Sequence, residues 1–125
     1  MNYNAIVKSY FFYPKHVGDL ALDGHVLTHS SGQHGFSERV ELFVQYNAQQ
    51  VIETTKFKAQ GSPYLIAAAE WLCRFLEGKP IAVLDNFDVN EMISVLDVPK
   101  TNMASIFRLK AVCHELYLKY SHESA

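Results

Sequence analysis

The sequence predicts an α+β fold in which a small antiparallel sheet is covered by helices. Residues 39–46 alternate between apolar and polar side chains, and a polar turn separates them from a β-branched stretch at residues 51–58. Three stretches with helical periodicity follow, at residues 62–77, 88–98 and 102–120. Because the strands come first and the helices later, we expect an antiparallel sheet with helices on one face.

The composition favours a globular chain that needs no highly charged partner. The 125 residues are 49% hydrophobic with a net charge of −2, which suits one domain over residues 1–125 and argues against nucleic-acid or membrane binding. No apolar stretch is long enough to cross a bilayer. Cys73 and Cys113 form no CxxC pair and no metal-ligand spacing, so we predict packing thiols in a reducing, cytoplasmic setting.

The N-terminal part predicts one helix followed by a long loop. A helix is expected at residues 4–12 because Pro14 follows it. Residues 19–35 are rich in Gly, Ser, His and Asp and are predicted to be mostly loop, with a short strand at Val26-Leu27. The consecutive aromatic residues 10–13 sweep round a helix axis, so some of them should be exposed. They serve either to anchor the helix or to form a partner surface.

The strand pattern predicts which side chains of the sheet are buried. Glu41 and Gln45 lie on the polar face of the first strand. The opposite face carries four apolar residues: Val40, Leu42, Val44 and Tyr46. Residues 47–50 form the polar turn that reverses the chain. We therefore expect the apolar face to pack against the helices.

Helix boundaries are marked by capping residues. Ser62 is a favoured N-cap and Pro63 suits the first helical position, whereas Asp88 and Glu91 form a variant of the capping box. Pro99 stops the helix that Asp88 begins. The last helix carries an apolar stripe predicted to be buried: Ile106, Leu109, Cys113, Leu116 and Tyr120.

Three segments resemble the IscU/NifU N-terminal family, whose members are scaffolds for iron–sulfur cluster assembly. They are the stretch Gly32 to Glu38, the stretch Phe57 to Ala68, and the stretch Pro99 to Ile106. The family carries a cysteine in a G-x-x-x-C-G-D segment, a second in an F-K-x-x-G-C segment, and a third before a terminal helix. The resemblance covers residues 3–120, and it implies the α+β fold and the cluster-assembly pathway.

The three cysteine positions of the family are occupied by other residues. Phe36 and Ser62 stand 26 positions apart, as the first two family cysteines do, and Ala104 stands at the third after a one-residue shortening. Glu38 stands where the family has an aspartate ligand. We call these four the family ligand positions. Only Glu38 keeps ligand chemistry, and Met103 replaces the histidine that usually precedes the third cysteine.

Clusters are normally held by thiolates, so no conventional iron–sulfur cluster can be built from the family ligand positions. The resemblance then implies an accessory or regulatory paralogue that docks on a cysteine desulfurase or another cluster-assembly protein. The family's Leu-Pro-Pro-Val-Lys segment for chaperone recognition is also eroded, to Leu96-Asp97-Val98-Pro99-Lys100-Thr101.

Two alternatives to the scaffold reading stay open. His29, His34 and Glu38 suit zinc or iron, with Glu38 and His34 the preferred ligands, or else they are solvated residues. The chain can also be an interaction module that reuses the fold, as a homodimer through its aromatic N-terminus. An enzyme is not predicted, because Cys113 and His114 point about 100° apart on a helix and Ser62 lacks a nucleophile elbow.

Overall fold

The computed structural model describes residues 2–22, 24–32 and 38–124. Its elements in chain order are α1 (Ala5–Phe12), β1 (Val26–Ser31), β2 (Arg39–Tyr46), β3 (Ile52–Gln60), α2 (Pro63–Leu76), a 3₁₀ helix (Ile81–Asp85), α3 (Val89–Leu96), a second 3₁₀ helix (Lys100–Asn102) and α4 (Met103–Ser124). The predicted α+β class is confirmed.

The sheet is antiparallel throughout, in the order β1-β2-β3. Leu42 of β2 lies between His29 of β1 and Phe57 of β3, and an irregularity between Gln45 and Tyr46 shifts the register at the end of β2. The predicted buried face of β2 is confirmed, because its four apolar residues are all buried. The helices contact this face.

Strand β1 is longer than the two residues predicted from the sequence. It spans Val26–Ser31 and pairs with β2 along its whole length. Its pattern was hidden because polar His29 and Ser31 share a face with buried Leu27, so apolar and polar side chains do not alternate. Backbone pairing with β2, which propensity does not report, determines its length.

Helix α2 lies at the centre of the core, with contacts to α1, α3, α4 and β3. Leu65, Leu72 and Leu76 are fully buried. Both thiols are buried as predicted, and burial raises the pKa of Cys73 to about 12 and raises the pKa of Cys113 as well. These thiols therefore pack and do not react.

The helix caps follow the sequence with small differences. Ser62 Oγ accepts a hydrogen bond from the Leu65 backbone N–H at 3.3 Å, as an N-cap does. Asp88 accepts from the Asn90 N–H at 2.9 Å, so it caps α3 without the predicted reciprocal box with Glu91. Helix α4 continues four residues beyond the predicted end, and the 3₁₀ helix after α2 was not predicted. Within the described ranges, no helix is long and apolar enough to cross a membrane.

Candidate functional site

Three of the four family ligand positions converge at one end of the sheet. Glu38 lies just before β2, Ser62 begins α2, and Ala104 lies in the first turn of α4. Ser105 Oγ donates to Glu38 Oε2 at 2.8 Å, and Asn102 Nδ2 approaches Ser62 Oγ at 3.5 Å. These three positions therefore lie near one another in the fold.

Both carboxylate oxygens of Glu38 are engaged by side chains of α4. Besides the Ser105 bond, Arg108 Nε donates to Glu38 Oε1 at 3.1 Å. Arg108 Nη1 donates to Ser31 Oγ at 2.8 Å, which holds the guanidinium against the end of β1. The Glu38 side chain is 21% exposed and that of Arg108 33%, so this ion pair is partly shielded from water. A metal ion at Glu38 would compete with Arg108 for the carboxylate.

Gly61 allows Glu38 to approach the start of α2. The φ of Gly61 is +155°, and a Cβ built there would lie 2.9 Å from Leu65 Cδ2 and 3.2 Å from Glu38 Cγ. These distances are shorter than ordinary contacts, so a larger residue would push Glu38 or Leu65 away. The glycine thus helps to position the carboxylate.

The other described family ligand positions offer no metal-binding side chain. Ser62 is half-buried and its hydroxyl accepts the capping bond from Leu65. Ala104 is exposed and presents a methyl group, and the neighbouring Met103 packs against the core. Phe36, at the first cysteine position, lies outside the described residues.

The alternative metal site is only partly visible in the structure. His34 lies outside the described residues. His29 faces α4, where burial and the nearby Lys119 lower its pKa while Glu115 acts in the opposite sense. His29 pairs with Leu42 of β2, which is four residues beyond Glu38. Four residues correspond to about 13 Å along a strand, so His29 and Glu38 are not brought together. In the part of the chain that the structure describes, no group of three His, Cys, Asp or Glu side chains is arranged to hold a metal.

A second polar cluster surrounds a fully buried carboxylate on α2. Glu70 Oε2 accepts from Arg74 Nε at 2.7 Å and lies 2.6 Å from His16 Nδ1. Glu70 Oε1 accepts from the backbone N–H groups of Lys15 and His16 at 2.8 and 2.9 Å. The other ring nitrogen of His16 lies 3.1 Å from Glu77, which also accepts from Thr55. We call this the Glu70 cluster; it ties the segment after α1 to α2 and β3.

The Glu70 cluster stabilises two ionised carboxylates. Burial alone would raise the pKa of Glu70, but hydrogen bonds from Arg74 and His16 outweigh it and hold the pKa below its ordinary value. Burial also opposes ionisation of Glu77, whose pKa is lowered by hydrogen bonds from the Thr55 backbone and His16. Sequence analysis missed this cluster. The available signal was a charged residue between Ala69 and Trp71 within an apolar stretch.

The aromatic N-terminus is divided between packing and exposure, as the sequence predicted. Tyr10 is half-buried and lies under the Arg74 guanidinium, 4.2 Å from ring centroid to Cζ. Phe12 is 66% exposed and Tyr13 77%. Val17 and Leu22 are exposed further along the same segment. Four large apolar side chains of this segment therefore face solvent.

Comparisons with known proteins agree with this fold. The family of the NifU-like N terminal domain matches residues 2–124. One similar structure, from thermophilic Fervidobacterium islandicum AW-1, is assigned as an iron–sulfur cluster assembly scaffold protein for the SUF system. It is 16% identical to this chain, the match covers 91% of this chain and 95% of that chain, and the TM-score is 0.65. A nitrogen-fixing NifU-like N-terminal protein from Brucella abortus has 14% identity, 98% and 95% coverage, and a TM-score of 0.68. No curated protein sequence matches at a significant level.

The α+β fold and the family match together define the class of domain to which the chain belongs. The chain belongs to the NifU-like N-terminal domain family, and the resemblance stated from its sequence is confirmed. It is a divergent member, because its two cysteines, Cys73 and Cys113, stand outside the three cysteine positions of the family.

Proposed function

We propose that this chain is an accessory or regulatory protein of iron–sulfur cluster assembly that holds no conventional cluster. The observation that supports the proposal most directly is the engagement of Glu38, the one ligand-type residue among the family ligand positions. Its carboxylate is bound by Ser105 and Arg108. The protein would act in the cytoplasm by binding a partner, without catalysing a reaction.

The electrostatics of the site support a role without a cluster. A family scaffold would present thiolates here, whereas this chain presents Ser62 and Ala104, and its sequence has Phe36 at the remaining cysteine position. The Arg108 guanidinium lies beside Glu38 and neutralises the remaining carboxylate. The ion pair already supplies a positive charge to Glu38, so a metal ion would have to compete with Arg108 for this carboxylate.

The proposed partner is a cysteine desulfurase or another protein of cluster assembly, as the family implies. The segment from residue 12 to residue 22 offers a surface for it. Phe12 and Tyr13 are more than half exposed, and Val17 is 54% exposed. Exposed aromatic side chains are enriched at the centres of protein interfaces, where they bury large areas at little entropic cost. Loss of the cluster ligands leaves such a surface intact.

Anaerobic reconstitution with iron, cysteine and a cysteine desulfurase tests the absence of a cluster. The wild type should stay colourless, whereas the triple variant Phe36→Cys, Ser62→Cys, Ala104→Cys should gain a visible chromophore with bound iron and sulfide. The double variant Phe36→Ser, Ala104→Ser has serine at all three cysteine positions and controls for the substitutions themselves. A chromophore in the wild type would overturn the proposal.

Binding to the desulfurase is tested separately with purified proteins. Calorimetry should detect a complex with the wild type and weaker binding with Phe12→Ser and Tyr13→Ser. Neither Cys73 nor Cys113 should acquire a persulfide, because both thiols are buried. Absence of any complex would contradict the partner assignment.

Binding of zinc or iron through Glu38 and His34 stays a prediction. Metal analysis of the purified protein, repeated on His34→Ala, tests it. A stoichiometric metal that is lost in His34→Ala would replace the first proposal.

A further inference from the structure

The outward face of α4 carries a second stripe, four of whose five members are apolar, opposite the one that enters the core. Its members follow one another at intervals of three and four residues: Ala104, Phe107, Ala111, His114 and Leu118. All five are exposed, Phe107 at 55% and Leu118 at 40%. This is the heptad spacing that packs one helix against another. We call these residues the outer stripe.

A cavity of about 310 Å³ opens on the outer stripe, between α4 and the 3₁₀ helix at Ile81–Asp85. It is lined by Leu84, Asp85, Phe107, Lys110, Ala111 and His114. Leu84 is buried beneath it, and the small side chain of Ala111 keeps it open. The pair formed by His114 Nδ1 and Asp85 Oδ1, 2.6 Å apart, lies at its edge.

We propose that the outer stripe binds a second copy of this chain, with Phe107 of each copy in the cavity over Ala111 of the other. A two-fold interface uses the same patch twice, so it needs a projecting group and a matching hollow on one surface. Phe107 projects, and the hollow at Ala111 begins one helical turn away on the same face. The two α4 helices would then run antiparallel.

Charges of both signs lie beside the outer stripe: Glu115 is exposed next to His114, and several of the others are engaged within each chain. Arg108 pairs with Glu38, and His114 pairs with Asp85. Lys110 Nζ donates to the Phe87 carbonyl at 3.0 Å and lies 5.0 Å from the centroid of its ring. The surface thus has an apolar centre and no excess of positive or negative charge around it. Such a surface suits a second copy of the chain better than a highly charged partner.

The size of the outer stripe sets the expected affinity. Residues 104–118 span about 21 Å of helix, and one helix pair of this length is smaller than a standard stable interface. We therefore expect a reversible dimer that forms as the concentration rises. In the antiparallel register, Ala104 lies opposite the partner's His114, so dimerisation would cover a family ligand position. The inference does not depend on the proposed function.

Sedimentation equilibrium from about 10 µM to about 1 mM tests the dimer, a range that detects micromolar affinities. The wild-type mass should rise from 14.2 kDa towards twice that value. Phe107→Ser should weaken association at least tenfold, and Ala111→Arg, which fills the cavity, should do the same. Far-UV circular dichroism should show both variants folded, because both positions are exposed.

Phe12→Ser is the matched control, because Phe12 is an equally large and exposed aromatic residue outside α4. It should leave association unchanged. The proposal is overturned if the wild type stays monomeric over the whole range, or if a dimer forms that Phe107→Ser does not weaken. A dimer disrupted by Phe12→Ser alone would place the interface at the aromatic N-terminus instead.

Discussion

Replacing Glu70 by glutamine tests how the segment after α1 is held against α2. The carboxylate is fully buried and accepts hydrogen bonds from Arg74, His16 and two backbone N–H groups. Glutamine keeps the size and one acceptor oxygen but removes the charge. A buried hydrogen bond to a charged group contributes about 1.5–3 kcal/mol. Arg74 is 34% exposed, so solvent screening reduces its share.

We expect Glu70→Gln to lower the free energy of unfolding by about 3 kcal/mol, at the lower end of the cost of breaking a buried ion pair. The loss should depend on pH. Because the pKa of Glu70 is lowered from 4.5, its ionised form stabilises the fold above pH 4.5, and that contribution disappears as the pH falls through the folded-state pKa. The difference between wild type and variant should therefore be largest near neutral pH and shrink below pH 4.5.

Urea denaturation followed by the fluorescence of Trp71, a neighbour of Glu70 on α2, measures this difference at several pH values. Glu53→Gln serves as control, because Glu53 is exposed on β3 and should change stability by less than about 0.5 kcal/mol. A loss below about 1 kcal/mol for Glu70→Gln, or one that is the same at every pH, would refute the reasoning.

Three further predictions concern the candidate site and the core. Arg108→Ala should free the Glu38 carboxylate and tighten divalent-metal binding, measured by calorimetry, whereas Arg108→Lys should not. Equal metal affinities of the wild type and Arg108→Ala would contradict the role of the ion pair. Gly61→Ala should lower the free energy of unfolding by about 1–3 kcal/mol, because φ is +155° and the added Cβ meets Leu65 and Glu38. An unchanged denaturation midpoint would argue against this strain. Cys73 should resist alkylation at pH 8 until the protein unfolds, because burial raises its pKa to about 12; rapid labelling of the native protein, detected by mass spectrometry, would be inconsistent with that.

Local patterns determined much of the fold. The alternation in β2, the proline and serine at the start of α2, and the proline after α3 each act within a few residues, so they can be read from the chain. The apolar stripe of α4 was predicted in the same way, and four of its five residues are fully buried. The family ligand positions were assigned from the resemblance by order and spacing, and the structure places Glu38, Ser62 and Ala104 near one another.

Contacts between distant residues were decided by the tertiary structure alone. Arg108 meets Glu38 across 70 positions, and His16 meets Glu70 across 54. Neither pair has a local signal, because the sequence does not record which helix face meets which strand end. The outer stripe on α4 shows the same limit, since its exposure depends on where the sheet and α2 leave α4 uncovered.

The sequence by itself determined the α+β class and the helix starts, because these depend on residue type and short-range spacing. Residues other than cysteine at the three family cysteine positions stay a prediction from the resemblance. The tertiary structure decided that Glu38 is paired, that a buried carboxylate on α2 holds the preceding segment, and that Phe107 projects beside a cavity. These features depend on packing between elements far apart in the chain, where burial and hydrogen bonding together choose among many compatible arrangements.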